Sequence, residues 1–388
     1  MKMTRWLLAF PLAPLLLLAS SEAREKHAAG NHYLAYVGTY TTKTASKGIY
    51  AFRYDASSGK LEPLGVAAET ADPSWIAIHP NGKFLYAVKE AGKNSMVSGF
   101  ALNAQTGKLT LLDQLPALGE DPCYISLDKT GKYLLVANYS SGNVVVFPVG
   151  ADGKLGPATA NVRDAGPLGP NKERQEGPHA HWIETSVGNR FAFVSDLGLD
   201  RVLIYKFDAE GGRLSNPDPS QPDAFSSALP PGSGPRHVAF SHDGKFMYVL
   251  GELQSTVTTF ANEAGEKYRA LQTVSALPAA FSRRNDAAEI ALHPSGKFIY
   301  TSNRGLDSIA VFHVEGSGLL RLAANVRTGG KEPRHFSIDP SGNYLLAENQ
   351  LSDTIVTFRI DQKTGALTPT GATLEVPSPV CVAFLPLD

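Results

Sequence analysis

Residues 73–86 read Pro-Ser-Trp-Ile-Ala-Ile-His-Pro-Asn-Gly-Lys-Phe-Leu-Tyr, and residues 235–248 read Pro-Arg-His-Val-Ala-Phe-Ser-His-Asp-Gly-Lys-Phe-Met-Tyr. In each segment a proline precedes a short apolar run, a turn with Gly-Lys follows, and a second apolar run continues the chain. Less complete copies recur about 50 residues apart. Their turn glycines are Gly82, Gly131, Gly188, Gly244, Gly296 and Gly342. Each copy predicts a β-hairpin, because β-branched and aromatic runs on either side of a glycine turn favour paired strands.

A β-rich unit repeated at this period is typical of a β-propeller. Each repeat contains four short runs with alternating apolar residues, which predicts four-stranded blades. The first run, residues 33–39, resembles the second strand of a repeat, and the last run, from Pro379, resembles a first strand. The sequence therefore predicts an all-β, seven-bladed β-propeller whose C-terminal strand completes the first blade. We expect residues 24–388 to form this single domain.

The first residues have the pattern of an export signal. Lys2 and Arg5 precede an apolar run over residues 6–19, and residues 21–23, Ser-Glu-Ala, form a small-residue cleavage site. Because the apolar run is short for a membrane span, residues 1–23 are predicted to be a cleaved signal peptide. The mature protein is then expected to be periplasmic or secreted, with no membrane attachment after cleavage.

Composition excludes several classes of function. The chain has 36 Lys and Arg against 37 Asp and Glu, a net charge of -1, and no long basic stretch that would suggest nucleic-acid binding. No P-loop, nucleophile-elbow or metal-ligand motif occurs, so we expect neither a cofactor nor a metal ion. Cys123 and Cys381 lie in repeats that are not neighbours around the ring, which predicts two separate, half-buried thiols. We expect a monomer.

Propeller geometry brings equivalent positions of all repeats to one pore. The two strands of each hairpin are antiparallel, so the start of the first and the end of the second lie at the same rim. The first-strand starts are Ser74, Cys123, His179, Arg236, Ala288, Arg334 and Val380. The second-strand ends are Glu90, Tyr139, Asp196, Glu252, Arg304 and Gln350. Charged residues that differ between repeats, beside uniformly apolar strands, predict a functional site at this rim.

Three consecutive repeats supply the candidate catalytic residues, which are His179, Arg236, Glu252 and Arg304. A buried structural ion pair between Arg236 and Glu252 is the alternative interpretation. Candidate substrate contacts near the same rim are His181, His237 and Arg334, with a packing role as the alternative for the two histidines. Long connections at residues 163–177, 215–234 and 275–286 end at this rim. We expect them to form a wall around the substrate, with neutral surface loops as the alternative.

A family resemblance rests on the motifs Tyr36-Val-Gly-Thr-Tyr-Thr, Asn138-Tyr, Gly177-Pro-His, Gly234-Pro-Arg-His, Glu252-Leu, Ser302-Asn-Arg and Pro333-Arg-His. With them, essentially the whole mature chain resembles the lactonase family of seven-bladed propellers. That family includes the bacterial propeller-type 6-phosphogluconolactonase and the fungal 3-carboxy-cis,cis-muconate lactonizing enzyme. Its proposed active-site residues, a histidine, two arginines and a glutamate, match His179, Arg236, Arg304 and Glu252. The resemblance also makes Asn138 a candidate substrate contact.

The resemblance implies hydrolysis of a small-molecule sugar lactone by metal-free general acid/base catalysis. His179 is expected to be the base, with Glu252 orienting Arg236, although exchanging the roles of His179 and Glu252 fits the sequence equally well. The substrate is expected to be 6-phosphogluconolactone or, because the chain is predicted to be exported, an unphosphorylated aldonolactone. A muconate-type cycloisomerase and a non-catalytic binding propeller are the alternatives.

Overall fold

The computed structural model describes residues 31–216, 225–263 and 266–387. Within these ranges the chain forms seven antiparallel sheets and no α-helix, so no described helix is long enough to cross a bilayer. The innermost strand of each sheet packs against the innermost strands of its two neighbours, which closes the sheets into a ring. The predicted seven-bladed, all-β propeller is confirmed. The predicted signal peptide, residues 1–23, lies outside the described residues.

The strands are named in chain order. Blade 1 consists of β1 (His32–Thr39), β2 (Gly48–Asp55), β3 (Lys60–Glu69) and β29 (Pro379–Pro386). Blade 2 consists of β4 (Ile76–Ile78), β5 (Phe84–Lys89), β6 (Met96–Leu102) and β7 (Leu109–Pro116). Blade 3 consists of β8 (Pro122–Leu127), β9 (Tyr133–Asn138), β10 (Asn143–Pro148) and β11 (Ala160–Arg163). Blade 4 consists of β12 (Ala180–Thr185), β13 (Phe191–Asp196), β14 (Arg201–Asp208), β15 (Arg213–Ser215) and the additional β16 (Ser226–Ala228).

The remaining three blades have four strands each. Blade 5 consists of β17 (Pro235–Phe240), β18 (Phe246–Gly251), β19 (Thr256–Asn262) and β20 (Tyr268–Ser275). Blade 6 consists of β21 (Ala287–Leu292), β22 (Phe298–Asn303), β23 (Ser308–Val314) and β24 (Leu320–Arg327). Blade 7 consists of β25 (Pro333–Ile338), β26 (Tyr344–Asn349), β27 (Thr354–Ile360) and β28 (Leu367–Glu375). Short 3-10 turns lie at Gly92–Asn94 and Gln350–Ser352.

Blade 1 joins the two ends of the chain. Strand β29 pairs with β1 in antiparallel register from Tyr33 opposite Pro386 to Gly38 opposite Cys381. The first blade is therefore completed by the C-terminal strand, as the incomplete end repeats predict. Because β29 is the innermost strand of this blade, it removes an open sheet edge and closes the ring without a covalent link.

Neighbouring blades are also joined by hydrogen bonds from repeated tyrosines. Tyr86 and Tyr300 occupy equivalent positions in blades 2 and 6, and each hydroxyl donates over 2.9 Å to a turn carbonyl, of Gly153 and Gly365 respectively. Both glycines have positive φ, and a Cβ there would lie 2.3 Å from an atom of Phe84 and 2.6 Å from one of Phe298. These turns therefore require glycine. Cys123 and Cys381 are separate free thiols as predicted, but both are buried rather than half-buried.

Candidate active site

Four of the innermost strands begin with the same register relative to their hairpin partners. Pro122 of β8, Ala180 of β12, Pro235 of β17 and Pro333 of β25 each lie opposite the last residue of the following strand. The next residue in each strand occupies one common ring position at the rim. In the order of these four strands, the residues at that position are Cys123, His181, Arg236 and Arg334.

This register corrects two of the expected rim positions. In blade 4 the ring position belongs to His181, and His179 precedes strand β12 in the connection that enters the rim. In the blade 4 turn Gly188 lies one position earlier than the other turn glycines, and Asn189 has the positive φ in its place. Asp196 is therefore the last residue of β13 and pairs inside the hairpin opposite Ala180. Asp196 is fully buried and does not line the pore.

Glu252 is the centre of the rim cluster. It follows strand β18, and its backbone N–H donates to Gly234 O, which brings it beside the start of β17. Its carboxylate is almost fully buried, and three guanidinium groups surround it. Glu252 Oε1 lies 2.7 Å from Arg174 Nη2 and 3.0 Å from Arg304 Nη2. Its Oε2 atom lies 3.1 Å from Arg236 Nε.

The arginines determine the charge of this carboxyl. Burial alone raises the pKa of Glu252, but the charges of Arg304 and Arg236 outweigh burial and hold the pKa well below its usual range. Burial, together with the charges of Arg304 and Arg334, lowers the pKa of Arg236 to about 10. Glu252 is therefore an anion and Arg236 a cation at neutral pH. The four charges form a network in which one carboxylate holds three guanidinium groups in place.

Arg304 is fixed from two sides. Its Nε and Nη2 atoms donate to the backbone carbonyls of Asp286 and Ala287, both over 3.2 Å. Both carbonyls belong to the entry into strand β21, where the long connection over residues 275–286 ends. The side chain is 10% exposed, compared with 4% for Arg236, so both guanidinium groups are largely withdrawn from water.

His179 lies beside this network. Its ring stacks on Tyr139, with centroids 4.5 Å apart and planes at 16°. Its Nδ1 atom lies 3.0 Å from the backbone carbonyl oxygen of Tyr139, and its Nε2 atom lies 3.2 Å from Oε1 of Glu176. Its backbone N–H donates to the buried Asp196 carboxylate over 2.9 Å. One stacking contact and a polar contact at each ring nitrogen thus hold the ring at the entry into blade 4.

Arg174 was not predicted. It comes from the long connection over residues 163–177 and has no equivalent in the repeats, so comparison of repeats could not find it. Besides Glu252, its Nη2 atom contacts the hydroxyl of Tyr139 over 3.2 Å, which joins the Glu252 network to the ring that stacks on His179. Its side chain is 30% exposed, which makes it the most accessible of the three arginines on Glu252. Arg174 Nη1 lies 4.0 Å from Oδ1 of Asp286, so this connection and the one over residues 275–286 meet at the rim. Part of the third long connection, residues 215–234, lies outside the described residues.

Of the predicted substrate contacts, His181 and His237 are buried, whereas Arg334 lines an open cleft. His181 is buried, with Nε2 4.0 Å from Glu252 Oε2, and burial together with the charge of Arg236 holds its pKa well below the usual value. Arg334 lies over the ring of Tyr40, at 5.3 Å from its centroid, and lines a cleft of about 900 Å³. His237 is buried and lies one residue after Arg236 along β17. Of the three residues, Arg334 is the one that lines the open cleft.

Asn138 does not join the cluster. Its side chain is fully buried, and its amide donates over 3.4 Å to the carbonyl oxygen of Ala117. Asn303, the last residue of β22, makes the same kind of bond to Ala276 over 3.1 Å. Because the contact recurs between blades, Asn138 holds a connection in place. Among the described residues, no group of three or more His, Cys, Asp and Glu side chains has the geometry of a metal site.

The family described as lactonase, 7-bladed beta-propeller, matches residues 34–384. The chain belongs to the seven-bladed lactonase family. Among its relatives, the 6-phosphogluconolactonase of Bacillus subtilis is 37% identical over 355 residues, 91% of this chain and 98% of the relative. The 6-phosphogluconolactonase of Formosa agariphila is 35% identical and covers 86% of this chain and 94% of its own.

A solved structure of this lactonase type is also similar. The periplasmic gluconolactonase of Pseudomonas aeruginosa is 34% identical, with a TM-score of 0.85, over 91% of this chain and 99% of its own. The predicted family resemblance and the prediction of a lactone hydrolase are therefore confirmed. Lactone hydrolysis is accelerated by hydrogen-bond donors or cations placed at the carbonyl oxygen, and guanidinium groups are both.

Proposed function

We propose that this protein hydrolyses a sugar lactone at the rim cluster, by general acid/base catalysis without a metal ion. The observation that carries the proposal is the buried Glu252 carboxylate with Arg174, Arg236 and Arg304 around it. Water attack on a lactone carbonyl places negative charge on the carbonyl oxygen. Guanidinium groups fixed in advance in a site with little water stabilise that charge without having to reorganise.

The base is better assigned to His179 than to Glu252. Both Glu252 oxygens contact arginines, and the lowered pKa makes this carboxylate a weak base. Tyr139 O can only accept a hydrogen bond, so Nδ1 of His179 carries the proton of the neutral ring. Nε2, which has no aligned hydrogen-bond partner among the described residues, then has the lone pair that can take a proton from water. The Glu176 carboxylate, 3.2 Å from Nε2, stabilises the imidazolium that forms.

The reaction then balances as an ordinary ester hydrolysis. Water loses a proton to His179 and forms a C–O bond with the lactone carbonyl carbon, while the charge on the carbonyl oxygen is held by the arginines. Collapse of the tetrahedral intermediate breaks the ring C–O bond. The imidazolium returns its proton to the departing ring oxygen, which becomes a hydroxyl of the product acid. Glu252 holds the guanidinium groups in place throughout.

Arg334, whose charge acts on Arg236, lines the open cleft, and the charge of this cleft favours an unphosphorylated aldonolactone as substrate. Beside Arg334 and Lys43, the cleft is lined by four carboxylates, which are Asp72, Glu90, Asp121 and Asp353. Glu90 already accepts hydrogen bonds from the hydroxyls of Tyr40 and Ser74, at 2.7 and 2.5 Å. Carboxylates accept hydrogen bonds from sugar hydroxyls but repel a phosphate dianion or a second carboxylate. An exported protein, as residues 1–23 predict, fits the same class of substrate.

The test is a kinetic comparison of three substrates. The mature protein, from residue 24 onwards, is assayed with glucono-δ-lactone, 6-phosphogluconolactone and 3-carboxymuconate, with subtraction of spontaneous hydrolysis and with and without EDTA. We expect the highest kcat/KM for glucono-δ-lactone, the same rate in EDTA, and a loss of at least about a hundredfold in Arg236→Met. A higher kcat/KM for the phosphorylated lactone overturns the substrate class. Turnover of the muconate alone identifies a cycloisomerase, and no turnover of any of the three overturns the proposed function.

A further inference from the structure

Four buried titratable groups extend away from Arg236 into the pore and have no part in the reaction described above. They come from blades 5, 6 and 7 and are His237, Glu289, His335 and Glu348. His237 Nδ1 lies 2.9 Å from Glu289 Oε2, which lies 3.4 Å from His335 Nε2. His335 Nδ1 in turn lies 2.8 Å from Glu348 Oε2. Burying a charged side chain costs free energy unless an opposite charge or hydrogen bonds compensate for it. We therefore asked what these four linked groups contribute to the site.

We propose that His237 and Glu289 are positioning residues for Arg236, holding its guanidinium in the orientation that the substrate carbonyl requires. The inference rests on the role of Arg236 in the proposed function. Arg236 Nη1 lies 3.4 Å from His237 Nε2. A guanidinium nitrogen can only donate, so His237 Nε2 must present a lone pair. His237 must therefore carry its proton on Nδ1, the atom that faces Glu289.

Glu289 fixes that tautomer. Its Oε2 atom accepts the Nδ1 hydrogen of His237, and its Oε1 atom accepts a hydrogen bond from its neighbour's backbone N–H, at Ile290, over 2.9 Å. Burial and the charge of Arg236 hold the pKa of His237 well below its usual value, so the ring is neutral and can accept. A carboxylate behind a histidine orients metal-binding histidines in the same way, although here the histidine faces an arginine.

Strand β21 holds Arg236 by a second contact. Arg236 Nη1 also donates to the carbonyl oxygen of Ala288, the residue before Glu289. Two of the three guanidinium nitrogens are thereby held, with Nε beside Glu252 and Nη1 at β21 and His237. Nη2 makes no protein hydrogen bond within the described parts of the chain, so it is the nitrogen that can meet a substrate oxygen.

His335 and Glu348, the two groups furthest from Arg236, keep Glu289 in its place. His335 lies between the carboxylates of Glu289 and Glu348, and although burial lowers its pKa, these two carboxylates raise it above the usual value overall. The rings of His237 and His335 each meet the Trp75 ring edge-on, at 5.2 Å. Trp75 therefore fixes the spacing of the two histidines that share Glu289. The arrangement gives Arg236 a rigid support at a place where water cannot enter.

The first measurement uses the unaltered protein. Its histidines are labelled with ¹⁵N, and the His237 signal is identified by its loss in His237→Gln. We expect a neutral ring with the proton on Nδ1, without any substrate present. A cationic ring, or a proton on Nε2, overturns the inference because neither state leaves a lone pair for Arg236. This result does not depend on lactone turnover, so it separates the inference from the proposed function.

The second measurement is kinetic. His237→Phe keeps the ring between Trp75 and Tyr124 but removes both nitrogens, and we expect kcat to fall about tenfold or more with KM changed less than about twofold. His237→Gln, whose amide oxygen can accept from Arg236, is expected to recover part of kcat. Tyr124→Phe is the matched control, because it keeps the ring beside His237 and loses only the bond to Glu184. An unchanged kcat in a folded His237→Phe overturns the inference. Equal losses of kcat in His237→Phe and Tyr124→Phe overturn it as well.

Discussion

Arg236 and Glu252 face each other across one β-hairpin, with Arg236 Nε 3.1 Å from Glu252 Oε2. They meet because Pro235 at the start of β17 pairs with Gly251 at the end of β18, which puts the following residue of each strand at the same rim. The contact is an ion pair with imperfect hydrogen-bond alignment, since Nε has no well-aligned acceptor. The hairpin therefore sets the approach of the two side chains, and the neighbouring arginines hold the final geometry.

Replacement of Glu252 by glutamine tests this network. Glu252→Gln leaves Arg236 and Arg304 buried without their counter-charge, so we expect the free energy of unfolding to fall by about 3–5 kcal/mol and kcat by about a hundredfold or more. Urea denaturation and initial rates measure the two effects. Glu332→Gln is the control, because Glu332 is only 4.0 Å from Arg304 Nη1 and is more exposed, and its loss should change stability by less than about 1 kcal/mol. Equal effects of the two substitutions would contradict the central role of Glu252.

The pH dependence of kcat/KM distinguishes the two possible bases. Because the arginines lower the pKa of Glu252, a Glu252 base would stay ionised through the weakly acidic range, and kcat/KM would not fall there. An imidazole base is inactive when it is protonated, so with such a base kcat/KM falls toward acid pH. We expect this fall in the wild-type protein and its loss, at a much lower rate, in His179→Gln. A profile that is flat in the wild-type protein would transfer the role of base away from His179.

Arg174 is expected to matter more for activity than for stability. Its side chain is 30% exposed, so Arg174→Met should reduce kcat/KM about tenfold while the unfolding free energy falls by about 1 kcal/mol. Arg174→Lys keeps the charge but not the paired geometry, so its kcat/KM should lie between those of the wild-type protein and Arg174→Met. Arg213→Met, which removes an exposed arginine paired with Asp208, should leave kcat/KM unchanged. A similar kcat/KM for Arg174→Met and Arg213→Met would exclude Arg174 from the site.

A buried pair of carboxyls below His179 gives a pH-dependent stability. Asp164 and Asp196 lie side by side, and burial, with the charge of Asp196 on its partner, raises the pKa of Asp164, while burial raises that of Asp196. Groups with raised folded-state pKa values stabilise the fold at low pH. That stabilisation decreases as the pH rises from about 4, the unfolded value, through the folded-state values.

Asp164→Asn imitates the protonated partner at every pH. The asparagine oxygen can still accept from the Tyr205 hydroxyl, which donates to Asp164 Oδ1 over 2.7 Å, and its amide can donate to Asp196. We expect the variant to unfold at higher urea concentration than the wild-type protein at pH 7 and at the same concentration near pH 4. In Asp208→Asn the sign should reverse, because the pKa of the exposed Asp208 is lowered by its backbone hydrogen bonds. If Asp164→Asn were less stable than the wild-type protein at pH 7, Asp164 and Asp196 would not share a proton there.

The sequence predicted the candidate site closely but not its register. Counting from the turn glycines placed Glu252 and Arg304 correctly, and the proline before strand β17 placed Arg236 correctly. Both markers are displaced in blade 4, because Gly188 lies one position early in its turn and Pro178 lies two residues before Ala180, which pairs as Pro235 does in blade 5. Asp196 and His179 were misplaced for this reason. Arg174 could not be found by comparing repeats, since its contact depends on the path of a connection that no other blade has. Asn138 was assigned by a motif, and the structure places its amide on the connection at Ala117 rather than beside Glu252.

The repeat period and the complementary ends of the chain were enough to determine the number of blades and the closure of the ring, since short-range strand and turn preferences recur in every unit. The tertiary structure alone decided which of the rim charges come into contact and that Arg174 joins them. Those contacts join residues from different blades and one connecting loop, and their energies depend on burial and distance rather than on the order of residues along the chain. Glu252 is an ordinary glutamate in the sequence, and the three arginines folded around it keep it ionised although it is buried.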